Sequence, residues 1–222
     1  MSGRLASEIA LWYRSLRRTK RQRHIQATDP GDHEHIEALR LWQAHFTARK
    51  LNVVGNAQSL FFAEHGELID QAETIRFNSA QIVDDKCQGT RWDMLASSNP
   101  DTIELYREIK PKFSTLLFTP YCDEQLALLE RVPSNIQYLV YPMRMSIELA
   151  RMFRAPPTTG AQILHLLHVL DVKNVGVFGF DWRATKTFYS DRRRDPHNHY
   201  AEYKYFKNII RKQGWSLHVN EP

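Results

Sequence analysis

Past residue 50 the chain alternates short apolar runs with longer amphipathic stretches. Leu51-Asn52-Val53-Val54 is the first such run and stops at Gly55-Asn56. Runs at 74–77, 92–96, 114–118, 136–140, 174–178 and 215–218 are similarly short, and each holds Val, Ile, Leu or Phe. Short continuous apolar runs bounded by turn residues predict buried strands. Between them, apolar positions three and four apart predict helices at 57–64, 102–109, 123–131, 145–153, 159–170 and 198–212. The alternation of strands and helices predicts a mostly parallel sheet flanked by helices, an α/β domain over 51–222. Before residue 50 the pattern is helical throughout. Ile9, Leu11, Trp12, Tyr13 and Leu16 give one amphipathic segment, Asp29-Pro30-Gly31-Asp32 breaks it, and a second helix is expected from about 34 to 49. Its apolar positions are Ile36, Leu39, Leu41, Trp42 and Phe46. Residues 1–50 are therefore expected to form an N-terminal basic and amphipathic helical extension. Residues 180–196 are the least regular stretch and read as a mobile loop or lid.

Composition narrows the class. The 222 residues are 42% hydrophobic and 25% charged, which excludes disorder over most of the chain. Two cysteines, Cys87 and Cys122, are too few to staple a fold of this size and read as reduced thiols. No apolar run approaches the roughly 18 residues of a membrane span, and no secretory signal is evident. A cytoplasmic protein is expected.

Charge alters the picture once its position is known. The net charge is +5, which suggests a polyanionic partner. Residues 1–23 hold seven basic side chains (Arg4, Arg14, Arg17, Arg18, Lys20, Arg21, Arg23) and one acid, Glu8. The rest of the chain carries 23 basic and 24 acidic groups. The excess belongs to the leader, which either packs on the body or attaches to anionic lipid at the inner membrane face. No nucleic-acid motif accompanies the charge, so no nucleic-acid partner is expected.

The candidate chemistry sits where strands end, because parallel sheets bind ligands beyond their carboxyl edges. Gly55-Asn56 and Asn78 occupy two such ends. The Gly-x-Gly-x-x-Gly fingerprint and the Walker lysine are both missing there. Thr158-Thr159-Gly160 opens an apolar helix and either caps it or offers N–H donors to a phosphate. His197-Asn198-His199-Tyr200-Ala201-Glu202 groups two histidines and a carboxylate. That spacing is not a zinc signature, and a histidine general base is the better reading. His33 and His35 read as solvent-facing, and His165 and His168 as packing residues within an apolar helix.

Together these segments resemble the sialyltransferases. Val53 to Leu60, Ile69-Asp70, Ile75 to Ala80 and Gly89-Thr90 are similar to the long sialylmotif of the animal-type enzymes, glycosyltransferase family 29. Pro157-Thr158-Thr159-Gly160 through Val177-Phe178-Gly179-Phe180 resembles their short motif, and His197 with Glu202 has the His-x-x-x-x-Glu spacing of the very short motif. The stretch from Gly179 to Tyr189 is similar to the small bacterial enzymes of family 42. The resemblance spans about residues 51–210. It implies a single Rossmann-like (GT-A-like) glycosyltransferase domain over 51–222 that binds a nucleotide sugar.

The resemblance also implies an inverting, metal-independent sialyltransferase, with no cofactor. Such an enzyme moves sialic acid from CMP-sialic acid to a hydroxyl of a glycan or lipid-linked glycan. Asn56 and Asn78 would contact the CMP nucleotide. Thr158, Thr159 and Gly160 would hold ribose, base or phosphate, and Tyr189 would bind phosphate. His197 would be the catalytic base, with His199 supporting the leaving phosphate. The disulfide and membrane anchor of the animal enzymes have no counterpart here, which fits a bacterial cytosolic enzyme, and Arg183 stands where the bacterial family has a tyrosine. The alternatives are a transferase of another CMP-sugar such as Kdo, and a non-catalytic nucleotide-binding or membrane-associated protein.

Overall fold

The computed structural model describes residues 30–46, 49–79, 81–98, 113–120, 123–182, 184–187 and 196–219. The leader 1–23, the helix expected at 102–109, Cys122, Arg183 and Tyr189 lie outside the described residues.

The seven strands are β1 (Leu51–Val54), β2 (Glu73–Phe77), β3 (Met94–Ser97), β4 (Thr115–Phe118), β5 (Gln137–Val140), β6 (Val175–Phe178) and β7 (Ser216–His218). All seven fall within the runs anticipated from the sequence, give or take two residues. They form one sheet in the order β5-β4-β3-β2-β1-β6-β7. Every pairing is parallel, as when Val53 lies opposite Ile75 on one side and Val177 on the other. The sheet is thus wholly rather than mostly parallel. Every residue of β1, β3 and β4 is buried, because helical layers cover both faces of a parallel sheet.

The larger face carries Leu51, Val53, Ile75, Phe77, Ala96, Leu117, Leu139 and Val177. Against it pack α1 (Pro30–Phe46), α4 (Met143–Phe153), α5 (Thr159–Val169) and α6 (His199–Gln213), through Trp42, Phe46, Leu149, Phe153, Ile163, Leu164, Phe206 and Ile210. The opposite face holds two smaller clusters. One is Val54, Leu60, Ile69 and Phe178, and the other is Leu95, Phe113, Leu116, Phe118 and Ile136.

Several expectations shift. The break at Pro30-Gly31-Asp32 is the first turn of α1 instead, since proline is tolerated where no intrahelical N–H is needed. This helix belongs to the common core: the Trp42 indole N–H donates to the Val140 carbonyl at 2.8 Å. The segments at 57–64 and 123–131 are 3-10 helices, Gln58–Phe62 and Asp123–Arg131. Two short helices were not anticipated: α2 (Gly66–Asp70) and α3 (Asp85–Gln88). Each has too few residues to display a helical period. The Asp84 carboxylate caps α3 by accepting from the Lys86 and Cys87 N–H groups.

Candidate functional site

The strand order reverses direction once. From β1 the sheet grows through β2 to β5 on one side and through β6 and β7 on the other. The carboxyl ends of β1 and β6 therefore flank the crevice where an open α/β sheet takes its ligand. Gly55 and Gly179 meet there. Gly55 N–H donates to the Phe178 carbonyl at 2.7 Å and Ala57 N–H to the Gly179 carbonyl at 3.3 Å. A Cβ on Gly55 would stand 2.3 Å from the Gly179 oxygen, and Gly179 itself holds a φ of +63°. The two backbones can lie this close only because neither residue has a side chain.

Asn56 and Asn78 come together at this edge. The Asn56 amide donates to the Phe77 carbonyl at 3.0 Å. Asn78, next in the chain, sits in the left-handed region at φ 50°. Its N–H donates to Ala96, and its side-chain oxygen accepts from the Ser97 hydroxyl at 3.3 Å.

Phe180 links this edge to α5. Its ring packs edge-on against Phe77 with centroids 5.7 Å apart. It also fills the space where a Cβ on Gly160 would lie, 2.7 Å from the ring. Gly160 thus serves packing as well as helix entry. Thr158 caps α5, its hydroxyl oxygen accepting from Ala161 N–H at 3.0 Å. Its own N–H and O–H donate to the two oxygens of Glu202 at 2.8 and 2.9 Å. Thr159 is buried. Among the described residues, the Thr159 and Gly160 N–H groups have no hydrogen-bond partner. They open the positive end of a helix dipole, an arrangement suited to an anion.

The start of α6 grips the α4–α5 connection at three points. The Asn198 amide donates to the Phe153 carbonyl at 3.0 Å, and its oxygen caps α6 by accepting from Ala201 N–H. His197 Nδ1 lies 2.8 Å from the Pro156 carbonyl. A carbonyl can only accept, so Nδ1 carries the proton and Nε2 is the basic nitrogen of the neutral ring. Glu202, 2% exposed, makes the third contact through Thr158. His199 stands edge-on to His197, ring centroids 5.9 Å apart.

Other motif residues hold the scaffold. The Asp70 carboxylate accepts from Thr90 N–H, the Thr90 hydroxyl and Arg91 N–H at 2.8 to 3.0 Å. Burial opposes its ionisation, but these donors outweigh burial and hold the carboxyl below its usual range. Arg76 is 1% exposed and donates to the Arg91, Gln88 and Gly89 carbonyls. Burial lowers its pKa to about 10, against the raising effect of Asp70 and Asp93.

Sequence reasoning missed the part played by Asp181. Its Oδ2 accepts from the Ser59 hydroxyl at 2.9 Å and Thr185 N–H at 3.0 Å. Gln58 N–H donates to the Lys186 carbonyl, and Ala57 pairs with Thr187 in an antiparallel bridge. The first part of the expected mobile loop is therefore stitched to the turn after β1. An aspartate just past a strand end was the available signal. Among the described residues, no cluster of three or more His, Cys, Asp or Glu is placed to hold a metal. No helix there is long and apolar enough to cross a membrane.

No family model matches the chain, and neither does any curated protein. Solved structures do. A mammalian sialyltransferase in complex with Gal-β-1-3GalNAc-ortho-nitrophenol aligns with a TM-score of 0.63 at 15% identity, over 95% of this chain and 86% of that one. The monofunctional α-2,3-sialyltransferase Cst-I from Campylobacter jejuni aligns at 0.57 and 11% identity, over 79% and 78%. CstII from Campylobacter jejuni, in complex with the substrate analogue cytidine-5′-monophosphate, aligns at 0.55 and 13%, over 77% and 79%. With its all-parallel sheet, its switch point and these alignments, the chain has the Rossmann-like α/β fold of the sialyltransferases.

Proposed function

We propose that this protein is a glycosyltransferase of the sialyltransferase kind, moving a sialic acid from its CMP ester to a glycan hydroxyl with inversion. The observation that carries the reading is His197. Its tautomer is set by the Pro156 carbonyl, and it stands at the helix start clamped to the α5 N-terminus. CMP and CMP-sugar analogues occupy solved structures of the same fold, which supports a CMP-sugar donor.

In this mechanism the nucleotide lies over the carboxyl ends of β1, β2 and β6, with the Asn56 and Asn78 amides toward base and ribose. The phosphate faces the Thr159 and Gly160 N–H groups. His197 Nε2 takes the proton of the acceptor hydroxyl as that oxygen bonds to the anomeric carbon. The bond from the anomeric carbon to the phosphate oxygen breaks, and its electron pair leaves with CMP. The helix-end donors, His199 and Tyr189 stabilise the departing charge. No metal takes part in these steps.

The test is incubation with CMP-sialic acid, CMP-Kdo and other CMP-sugars, with and without glycan acceptors, following CMP release. Acceptor-stimulated release from CMP-sialic acid is expected. Release from CMP-Kdo alone would reassign the donor, and no response to any CMP-sugar would overturn the reading.

A further inference from the structure

Helix α6 buries Glu202, Phe206, Ile209 and Ile210. Its opposite side exposes Tyr200, Tyr203, Lys204, Lys207 and Arg211. At 100° per residue these five fall on one stripe, about 17 Å long by helix rise. Lys212 adds a fourth exposed cation on the same helix, off the stripe. The only acid of the helix, Glu202, is buried beneath. Among the described residues, no carboxylate pairs with any of the four cations. This concentration stands out in a body whose charges, the stripe included, nearly cancel.

The tyrosines give the stripe its character. Lys204 Nζ lies 4.4 Å above the Tyr200 ring. Lys207 lies 5.2 Å from the Tyr203 ring and donates to its hydroxyl at 2.9 Å. Trp182 packs edge-on against Tyr203 at 5.4 Å. A ring engaged by an ammonium, and in one case by an indole as well, is a poor platform for stacking bases. Aromatic rings with polar tips among lysines on a rigid helix face suit the headgroup layer of an anionic bilayer.

We propose that this face of α6 is a docking surface for an anionic lipid membrane, independent of the basic leader. Its link to the proposed transferase is positional. The stripe starts at Tyr200, three residues after His197, so docking brings that end of the helix to the lipid plane, where an acceptor carried on lipid would be presented. That link rests on the CMP-sugar reading, whereas membrane binding does not.

The test uses the full chain on vesicles of phosphatidylglycerol and phosphatidylcholine, with pure phosphatidylcholine as reference. Each cation near such a surface contributes roughly fivefold to partition. The triple variant Lys204→Gln/Lys207→Gln/Arg211→Gln is expected to partition about a hundredfold more weakly, with unchanged melting temperature and CMP binding. A control removing as many cations elsewhere, Arg40→Gln/Lys86→Gln/Arg131→Gln, is expected to change little. Equal loss in both variants, no loss in the triple variant, or loss of RNA binding without loss of vesicle binding would overturn the proposal.

Discussion

Glu202 and Thr158 lie 44 residues apart in sequence and share two hydrogen bonds, 2.8 Å from the threonine N–H and 2.9 Å from its hydroxyl. The glutamate sits in the first turn of α6, where the helix dipole favours negative charge. The threonine is the N-cap of α5. One buried carboxylate thus joins two helix starts and sets the distance between His197 and the N-terminus of α5.

Removing that carboxylate leaves two donors without acceptors in a partly buried place. Glu202→Ala is expected to lower stability by about 2–3 kcal/mol, read from urea unfolding. Combined with Thr158→Val, it should lose clearly less than the sum of the single effects, since the two share their bonds. Strict additivity would show that the clamp contributes nothing.

His197→Ala is expected to abolish transfer from CMP-sialic acid while CMP still stabilises the fold against heat. The histidine ring contacts the loop at Pro156, so His197→Asn tests for a purely structural role. Activity close to the parent protein in either variant would remove His197 as the base.

Gly55 tolerates no side chain because the obstacle is the Gly179 backbone and cannot swing aside. Gly55→Ala is expected to cost about 2–3 kcal/mol through overpacking and backbone displacement and to weaken CMP binding. Gly214 provides the comparison. A Cβ there meets nothing within 4 Å and suffers only from the φ of +69°, so Gly214→Ala should cost about 1 kcal/mol without affecting CMP binding. Equal costs would contradict the close approach at the switch point.

His165 is partly buried on α5, its Nδ1 2.9 Å from the Tyr205 hydroxyl. Burial, and to a lesser degree the charge of His168, lower its pKa to about 4. The unfolded chain takes up this proton near pH 6.5 and the folded chain only near pH 4. The unfolded state therefore binds more protons in between, and stability falls as pH drops through that window. Between pH 7 and pH 4.5 the loss from this group is about 2 kcal/mol. His165→Gln should reduce that slope in urea titrations; an unchanged slope would show that His165 charges freely in the fold.

The strands and the main helices were legible because each buries its own face. A run such as Leu51 to Val54, buried throughout, announces a two-sided strand without reference to anything distant. The α4, α5 and α6 helices carry periodic apolar stripes, and Thr158 and Asn198 cap the last two of them. The helices α2 and α3 were hidden by their shortness, and the 3-10 character of Gln58–Phe62 by the absence of any local signal for it. The spacing of His197 and Glu202 was visible, but the partner of each was not.

Local pattern by itself determined the seven strands and the longer helices α4, α5 and α6, that the strands would run largely parallel, and which side chains could do chemistry at their ends. Tertiary structure alone decided that α1 belongs to the common core and that Gly55 faces Gly179. It also decided that Asp70, Arg76 and Glu202 are anchors, and that a nearly neutral body carries a basic stripe along α6. The division has a physical basis. Backbone periodicity is written in neighbouring residues, whereas hydrogen-bond partners and surface charge depend on which distant segments the sheet order brings together.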